Sequence, residues 1–177
     1  MRRSGAEANE HPMIPDSTVF QEKLATLPIE TYQAGETVLG VYSRTGRLFI
    51  LKEGTVVVVK DGVEIAKVTE PGAVFGELSV LLDQPHSADV RALGRSEFYV
   101  ADASELLTQD PIAVLYVATV LARRLNGANQ TLVDLRRQIK AGASRAEIGK
   151  TVEKIEGLLG ADGASLIYSG YPSDPLC

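Results

Sequence analysis

Cysteine is almost absent from this chain: the one cysteine is Cys177, the last of 177 residues. No disulfide can close within the chain, and no cysteine-based metal site can form. Histidine is scarce too, and His11 and His86 are too few to furnish a typical zinc or iron centre. Long apolar runs are missing. None approaches the roughly 20 residues that span a bilayer, so no membrane partner is expected. The stretch from Met1 to Ile14 is polar and lacks the apolar core of a signal peptide. These absences point to a soluble protein of a reducing, cytoplasmic compartment. Excess positive charge is also missing. With a net charge of −5 and a pI near 5.1, the chain as a whole is a poor polyanion binder.

What is present is ordinary globular material, 45% hydrophobic and 23% charged residues, enough for one domain with an appendage. Three segments are expected: an arm over 1–15, a domain over 16–140, and a tail over 141–177. The arm is polar and carries Pro12 and Pro15. A short helix is expected from Thr18 to about Leu27, opened by the capping-box pair Thr18 and Gln21 and stopped by Pro28. From Tyr32 to Ala101 the texture is that of β-strands. Runs 47–52, 55–60, 63–68, 88–93 and 96–101 are short and rich in β-branched or aromatic residues, with glycine between them. Asp61-Gly62 joins two of these runs and predicts a type I′ hairpin, whose two central residues both need positive φ. Short strands at near-regular spacing indicate a sandwich or barrel, so the fold class is mainly β with flanking helices.

Beyond the strands the pattern turns helical. Asp102 and Glu105 have capping-box spacing, and Asp110 precedes Pro111, a favourable first helical residue. Val114, Ala118, Leu121, Leu125, Ala128, Leu132, Leu135 and Ile139 then recur at alternating spacings of four and three. This heptad seam predicts one helix over 111–139 lying along a partner helix, most simply in a parallel homodimer. The alternative is a single amphipathic helix packed on its own barrel. Arg123, Arg124, Arg136, Arg137 and Lys140 make this helix basic. A solvated face near the helix C-terminus accounts for them better than a DNA-contacting one. Gly127 within the helix marks a hinge or a close approach, or is incidental. In the tail, Ser144 and Glu147 open a further helix that carries Ile148, Val152, Ile155 and Leu159 and ends at Gly160. The remainder reads as loop.

The segment from Pro71 to Val90 carries the chemistry. A turn leads to Gly76 and Glu77, which open a short apolar helix. A polar loop, Asp83-Gln84-Pro85-His86-Ser87, then leads into a strand. Glycine permits close approach of a ligand to the backbone, the outward amides favour an anion, and Glu77 is an acceptor for a hydroxyl. The combination suits a small phosphate ester of a sugar. For Glu77 the plainer role is to complement the positive end of the short helix.

This segment, and FGELSVLL (75–82) in particular, resembles the phosphate-binding cassette of the cyclic nucleotide-binding domain family, which includes catabolite-activator-type regulators and protein kinase A regulatory subunits. The order of elements agrees over residues 17 to about 139. The resemblance implies an eight-stranded jelly-roll barrel with the cassette helix inserted, and a long C-terminal dimerisation helix. It implies amides of Gly76 and Leu78 facing a cyclic phosphate, Glu77 on the ribose 2′-hydroxyl, and Ser87 on the phosphate. Asn129 and Thr131, on the long helix, are its candidate base contacts. The family's arginine after the cassette proline is replaced here by His86. Loss of a charge-assisted hydrogen bond costs about 1.5–3 kcal/mol. A bound phosphate would favour the protonated imidazole and restore part of it. Arg44, Arg47 and Arg95 remain open as substitutes, whereas Arg91 falls on the outward parity of its strand.

The implied function is a sensor module, a homodimer through helix 111–139, that binds a cyclic nucleotide, cAMP in the first place with cGMP open, and signals to an effector protein of unknown identity. The alternative is a degenerate module that has lost the ligand and serves for interaction and dimerisation. No enzymatic role, no cofactor and no metal are expected. A cupin-type metal site would need more histidines, and no serine or cysteine has a histidine partner by motif. No DNA partner is expected either. The 38 residues after Ile139 carry Lys140, Arg145, Lys150 and Lys154 against Glu147, Glu153, Glu156, Asp162 and Asp174, a net charge of −1.

Overall fold

The structure is a computed structural model and describes residues 17–151. The expected arm over 1–15 and the tail beyond 151 lie outside the described residues, as do the side chains of residues 17–19 and with them the expected Thr18 cap.

Helix α1 (Ser17–Leu24) leads into eight strands: β1 (Ile29–Tyr32), β2 (Thr37–Leu39), β3 (Arg47–Glu53), β4 (Val56–Lys60), β5 (Val63–Val68), β6 (Val74–Phe75), β7 (Asp89–Ala92) and β8 (Ser96–Asp102). Helix α2 (Glu77–Leu81) lies between β6 and β7. Helices α3 (Ala103–Gln109) and α4 (Pro111–Lys140) follow β8. The strands form two antiparallel four-stranded sheets, ordered β1-β8-β3-β6 and β2-β7-β4-β5. The strand pattern predicts a sandwich or barrel with flanking helices, and the architecture is the jelly roll that the resemblance implies.

Two cores explain the texture of β3. Phe49 and Leu51 point between the sheets, where they pack with Val56, Val68, Phe75, Val90 and Phe98. Leu48 and Ile50 point the other way, onto Phe20, Leu106, Tyr116, Val117 and Val120 of the helices. A strand covered on both faces reads as a continuous apolar run rather than an alternating one. Phe98 anchors the inner core, with Tyr32, Phe49 and Phe75 all edge-on to it.

The β4–β5 turn has the predicted form: Asp61 and Gly62 have φ of 52° and 78°, and Lys60 pairs with Val63. Asp102 caps α3 through the Glu105 amide at 2.9 Å. Asp110 caps α4 through the amides of Ile112 and Ala113 and also forms an ion pair with Lys23 of α1. α1 stops at Leu24, three residues short of the expected end, and a turn carries the chain to Pro28.

At 30 residues α4 is about 45 Å long. Its buried stripe is Ala113, Tyr116, Val117, Val120, Gly127 and Thr131. The heptad seam lies on another face: Val114, Leu125, Leu132 and Ile139 are exposed, the last three each by more than 60%. The helix therefore packs on its own barrel through Ala113, Tyr116, Val117 and Val120, with Leu121 of the seam against the same core, and leaves Val114, Leu125, Leu132 and Ile139 open. After α4 the chain turns back. Ser144 and Glu147 form the expected reciprocal capping pair, and Thr151 accepts a hydrogen bond from Gln138 at 2.6 Å. The rest of the predicted tail helix, with Val152, Ile155 and Leu159, lies outside the described residues. No single helix among the described residues is long and apolar enough to cross a membrane.

Candidate functional site

The site is a cavity of about 230 Å³ between the β4–β5 hairpin, the α2 segment and α4. Its apolar wall is Leu39, Val58, Ile65, Ala66, Val74, Phe75 and Val90. Its polar side is Gly76, Glu77, Ser79, His86, Ser87 and Arg124, with Lys60 at the exposed edge. It is slightly smaller than the roughly 300 Å³ at which small-molecule sites usually begin, and the Arg124 side chain takes up part of the space.

Gly76 makes the entry to α2 possible. It sits at φ 91°, a left-handed conformation that suits glycine, and a Cβ there would lie 2.5 Å from the Arg47 carbonyl oxygen. Glu77 follows and is 4% exposed. Burial raises its pKa above the usual carboxylate range, and the neighbouring Arg124 guanidinium pulls the other way without cancelling the effect. Arg124 donates to Glu77 Oε1 at 2.7 Å and to the Val74 carbonyl at 2.9 Å, while its own Nε is buried with no partner among the described residues. Two turns earlier on α4, the Tyr116 hydroxyl donates to the Gly72 carbonyl at 2.7 Å, and burial pushes its pKa up to about 12. The long helix is thus bonded to both ends of the segment that enters the cavity.

On the other flank the loop after α2 is bonded to the β2–β3 loop. The His86 amide donates to Ser43 O, and the Tyr42 amide donates to His86 O, each at 2.8 Å. Arg44 pairs with Asp83 at 2.8 Å. The His86 ring is buried and its Nε2 lies 3.0 Å from Thr45 Oγ1. Burial lowers its pKa, which works against the protonated imidazole that the sequence suggests for a phosphate contact.

The structure brings Gly76, Glu77, Leu78, His86 and Ser87 to the cavity wall. It does not bring Asn129 or Thr131 there. Asn129 is exposed, and Thr131 is buried with its hydroxyl donating to the Gly127 carbonyl at 3.0 Å. The arginines left open as substitutes are engaged elsewhere: Arg44 with Asp83, Arg47 with Glu30, and Arg95 with Glu53 and Glu97. Arg91 pairs with Asp89 on the outside of β7. Arg124 corrects the expectation of a solvated basic face: only 16% of its side chain is exposed, and it enters the cavity. The signal that could have found it is the buried stripe itself, since 113, 117, 120, 124, 127 and 131 follow the three–four spacing of one helix face.

Residues 29–109 match the family model described as "Cyclic nucleotide-binding domain". Among solved structures, Thermus thermophilus catabolite activator protein matches with a TM-score of 0.56 at 21% identity. That match covers 84% of this chain and 83% of the other. A structure described as Sp-2Cl-cAMPS bound to PKAR CBD2 matches with a TM-score of 0.51 at 23% identity, covering 71% of this chain and 80% of the other. At these identities the likeness is one of fold. The chain spans 38% of the regulatory domain of Toxoplasma gondii PKA, which it matches at 21% identity with a TM-score of 0.47.

Proposed function

We propose that this chain is a regulatory sensor: a homodimer, joined through the exposed seam of α4, that binds cAMP in the Glu77 cavity and passes the binding state to a partner protein. The observation that carries the reading is the Glu77–Arg124 pair. A buried carboxylate opposite a buried guanidinium offers an acceptor to a sugar hydroxyl through Glu77 Oε2 and a cation to the cyclic phosphate, in a cavity with an apolar wall for the base. Arg124 then supplies charge that His86 does not. The likeness in fold to the structure described as Sp-2Cl-cAMPS bound to PKAR CBD2 supports this choice of ligand. For the dimer, the support is a row of exposed leucine and isoleucine side chains at heptad spacing, a pattern that a second copy of the same helix would bury.

The test is calorimetric titration with cAMP and its 2′-deoxy analogue. The native chain should bind cAMP and discriminate against the analogue by roughly 10-fold or more, since a hydrogen bond to a charged acceptor is worth about 1.5–3 kcal/mol. Glu77→Ala should bind cAMP more weakly by a similar factor and no longer discriminate. Equal binding of both ligands by the native protein would show that Glu77 does not meet the ribose.

One observation favours a second reading. Arg124 already bonds Glu77 Oε1 at 2.7 Å, so the pair fills part of the cavity from within. On that reading the barrel is an interaction module, and neither cAMP nor cGMP binds at millimolar concentration.

A further inference from the structure

We infer that Thr45 is a positioning residue of this site, whose hydroxyl holds the His86 ring in its Nδ1–H form, so that the uncharged imidazole still presents a hydrogen-bond donor to an anionic ligand. This rests on the reading of the cavity as an anion-binding site and assigns how its substituted position works.

The assignment follows from counting donors and acceptors. The Arg47 amide donates to Thr45 Oγ1 at 3.3 Å. The hydroxyl oxygen therefore already accepts one bond, and its own proton is free to donate. Among the described residues the partner in reach is His86 Nε2, at 3.0 Å. A neutral imidazole carries one proton and one lone pair. If Nε2 accepts from Thr45, the ring proton sits on Nδ1. The opposite tautomer would place two protons between Nε2 and Oγ1, or turn the hydroxyl away to water.

The ring is held where this matters. Its backbone is bonded on both sides to the β2–β3 loop, through Ser43 and Tyr42. Its Cε1, the carbon between the two nitrogens, lies 3.7 Å from where a Cβ on Gly76 would stand. With Nε2 turned to Thr45, Nδ1 is the ring nitrogen that has no partner among the described residues, on a side chain that lines the cavity. The charged groups facing the ring are Glu77 and Arg124 across the cavity, Lys60 at the edge on β4, and the Arg44–Asp83 pair on the flanking loops. Glu77 and Arg124 offset each other. Burial disfavours the imidazolium, so a donor that needs no extra proton is the form available above neutral pH. An arginine at this position would bring charge. Here His86 supplies directionality, and the charge comes from α4.

The chain has two histidines, so nitrogen-15 labelling of histidine gives a readable spectrum, with His11→Gln assigning the second ring. In the unliganded protein at pH 8 the His86 ring should show a protonated Nδ1 and a bare Nε2. Thr45→Val keeps the shape and removes the hydroxyl, so the ring should move towards the Nε2–H form. Thr45→Ser should restore the native pattern. A native ring protonated on Nε2, or a tautomer unchanged in Thr45→Val, would overturn the inference. With cAMP as the probe at pH 8, Thr45→Val should weaken binding roughly 2- to 10-fold, the worth of one neutral hydrogen bond, and Thr45→Ser should not. An Nδ1–H ring that responds to Thr45→Val as expected, in a chain that binds no cAMP, would remove the nucleotide reading and leave the hold of Thr45 on the ring in place.

Discussion

A carboxylate buried as deeply as that of Glu77 ionises at a cost, and Arg124 offsets much of it. Removing one member of such a pair costs about 3–5 kcal/mol, because the other is left charged and alone. Replacing both with neutral polar groups of the same shape costs far less. The sign with pH follows from the raised pKa of Glu77. Between the unfolded pKa and the higher folded one, the native state holds more protons than the unfolded chain, so stability falls as pH rises. Arg124→Gln should push the folded pKa higher still. Its loss of stability against the native protein should be small at pH 5 and approach about 3–5 kcal/mol at pH 8 in urea unfolding. Glu77→Gln/Arg124→Gln should show little of this pH dependence. A loss for Arg124→Gln that is equal at both pH values would mean that Glu77 is not ionised beside it. Sequence reasoning could find Glu77, because the local wording around Gly76 carries it. That wording does not reach its partner, which lies 47 positions away on another element. The run of basic residues on α4 reads as a solvated face until the buried stripe is traced and Arg124 falls on it.

Among the elements, α4 carries two patterns at once. Its heptad seam is plain in the sequence because leucine and isoleucine recur along it. Its buried stripe is quieter, being built of Ala113, Tyr116, Val117, Val120, Gly127 and Thr131, with Arg124 among them. A helix packed only on its own barrel would expose mainly polar residues on the other side. Leu125 and Leu132 are instead 63% and 62% exposed. Burying a leucine stabilises by about 1.5–3 kcal/mol. Leu125→Lys/Leu132→Lys should therefore weaken self-association at least 100-fold and give a monomer at micromolar concentration by sedimentation, while the far-ultraviolet signal of the barrel stays unchanged. A native chain already monomeric under those conditions would exclude the seam as a dimer contact. The strands show the same limit on what a sequence reveals. Five of the eight were legible from β-branched runs and the Asp61-Gly62 turn. β1, β2 and β6 are four residues or fewer, and their pairing with β8, β7 and β3 is set by distant partners.

For the molecule as a whole, α4 is shared between the cavity and the proposed dimer. Arg124 lies on the buried stripe and bonds Glu77, while Leu121 and Leu125 belong to the seam within one turn of it. A ligand that accepts from Arg124, or that draws Glu77 to a sugar hydroxyl, must alter the bonds that fix this part of the helix to the barrel. The two sites are then coupled, and coupling between binding equilibria is reciprocal. If cAMP favours the dimer by some factor, dimerisation must raise cAMP affinity by the same factor per coupled site. Two independent measurements fix that factor. The dimer dissociation constant of the native chain, with and without saturating cAMP, gives one value. The cAMP affinity of the native dimer against that of the monomeric Leu125→Lys/Leu132→Lys variant gives the other. The substitutions point away from the cavity, so the monomer keeps Gly76, Glu77, Ser87 and Arg124 in place. A coupling of about 1–3 kcal/mol per site would appear as a change of roughly 5- to 150-fold in cAMP affinity, and as the square of that factor in the dimer dissociation constant, because two sites act on it. Arg124→Gln should reduce the coupling in both measurements together, because it removes the bond through which the helix senses the cavity. Identical cAMP affinity in monomer and dimer would show that the helix covers the cavity without reporting on it, and that any signal to a partner leaves the barrel by another surface.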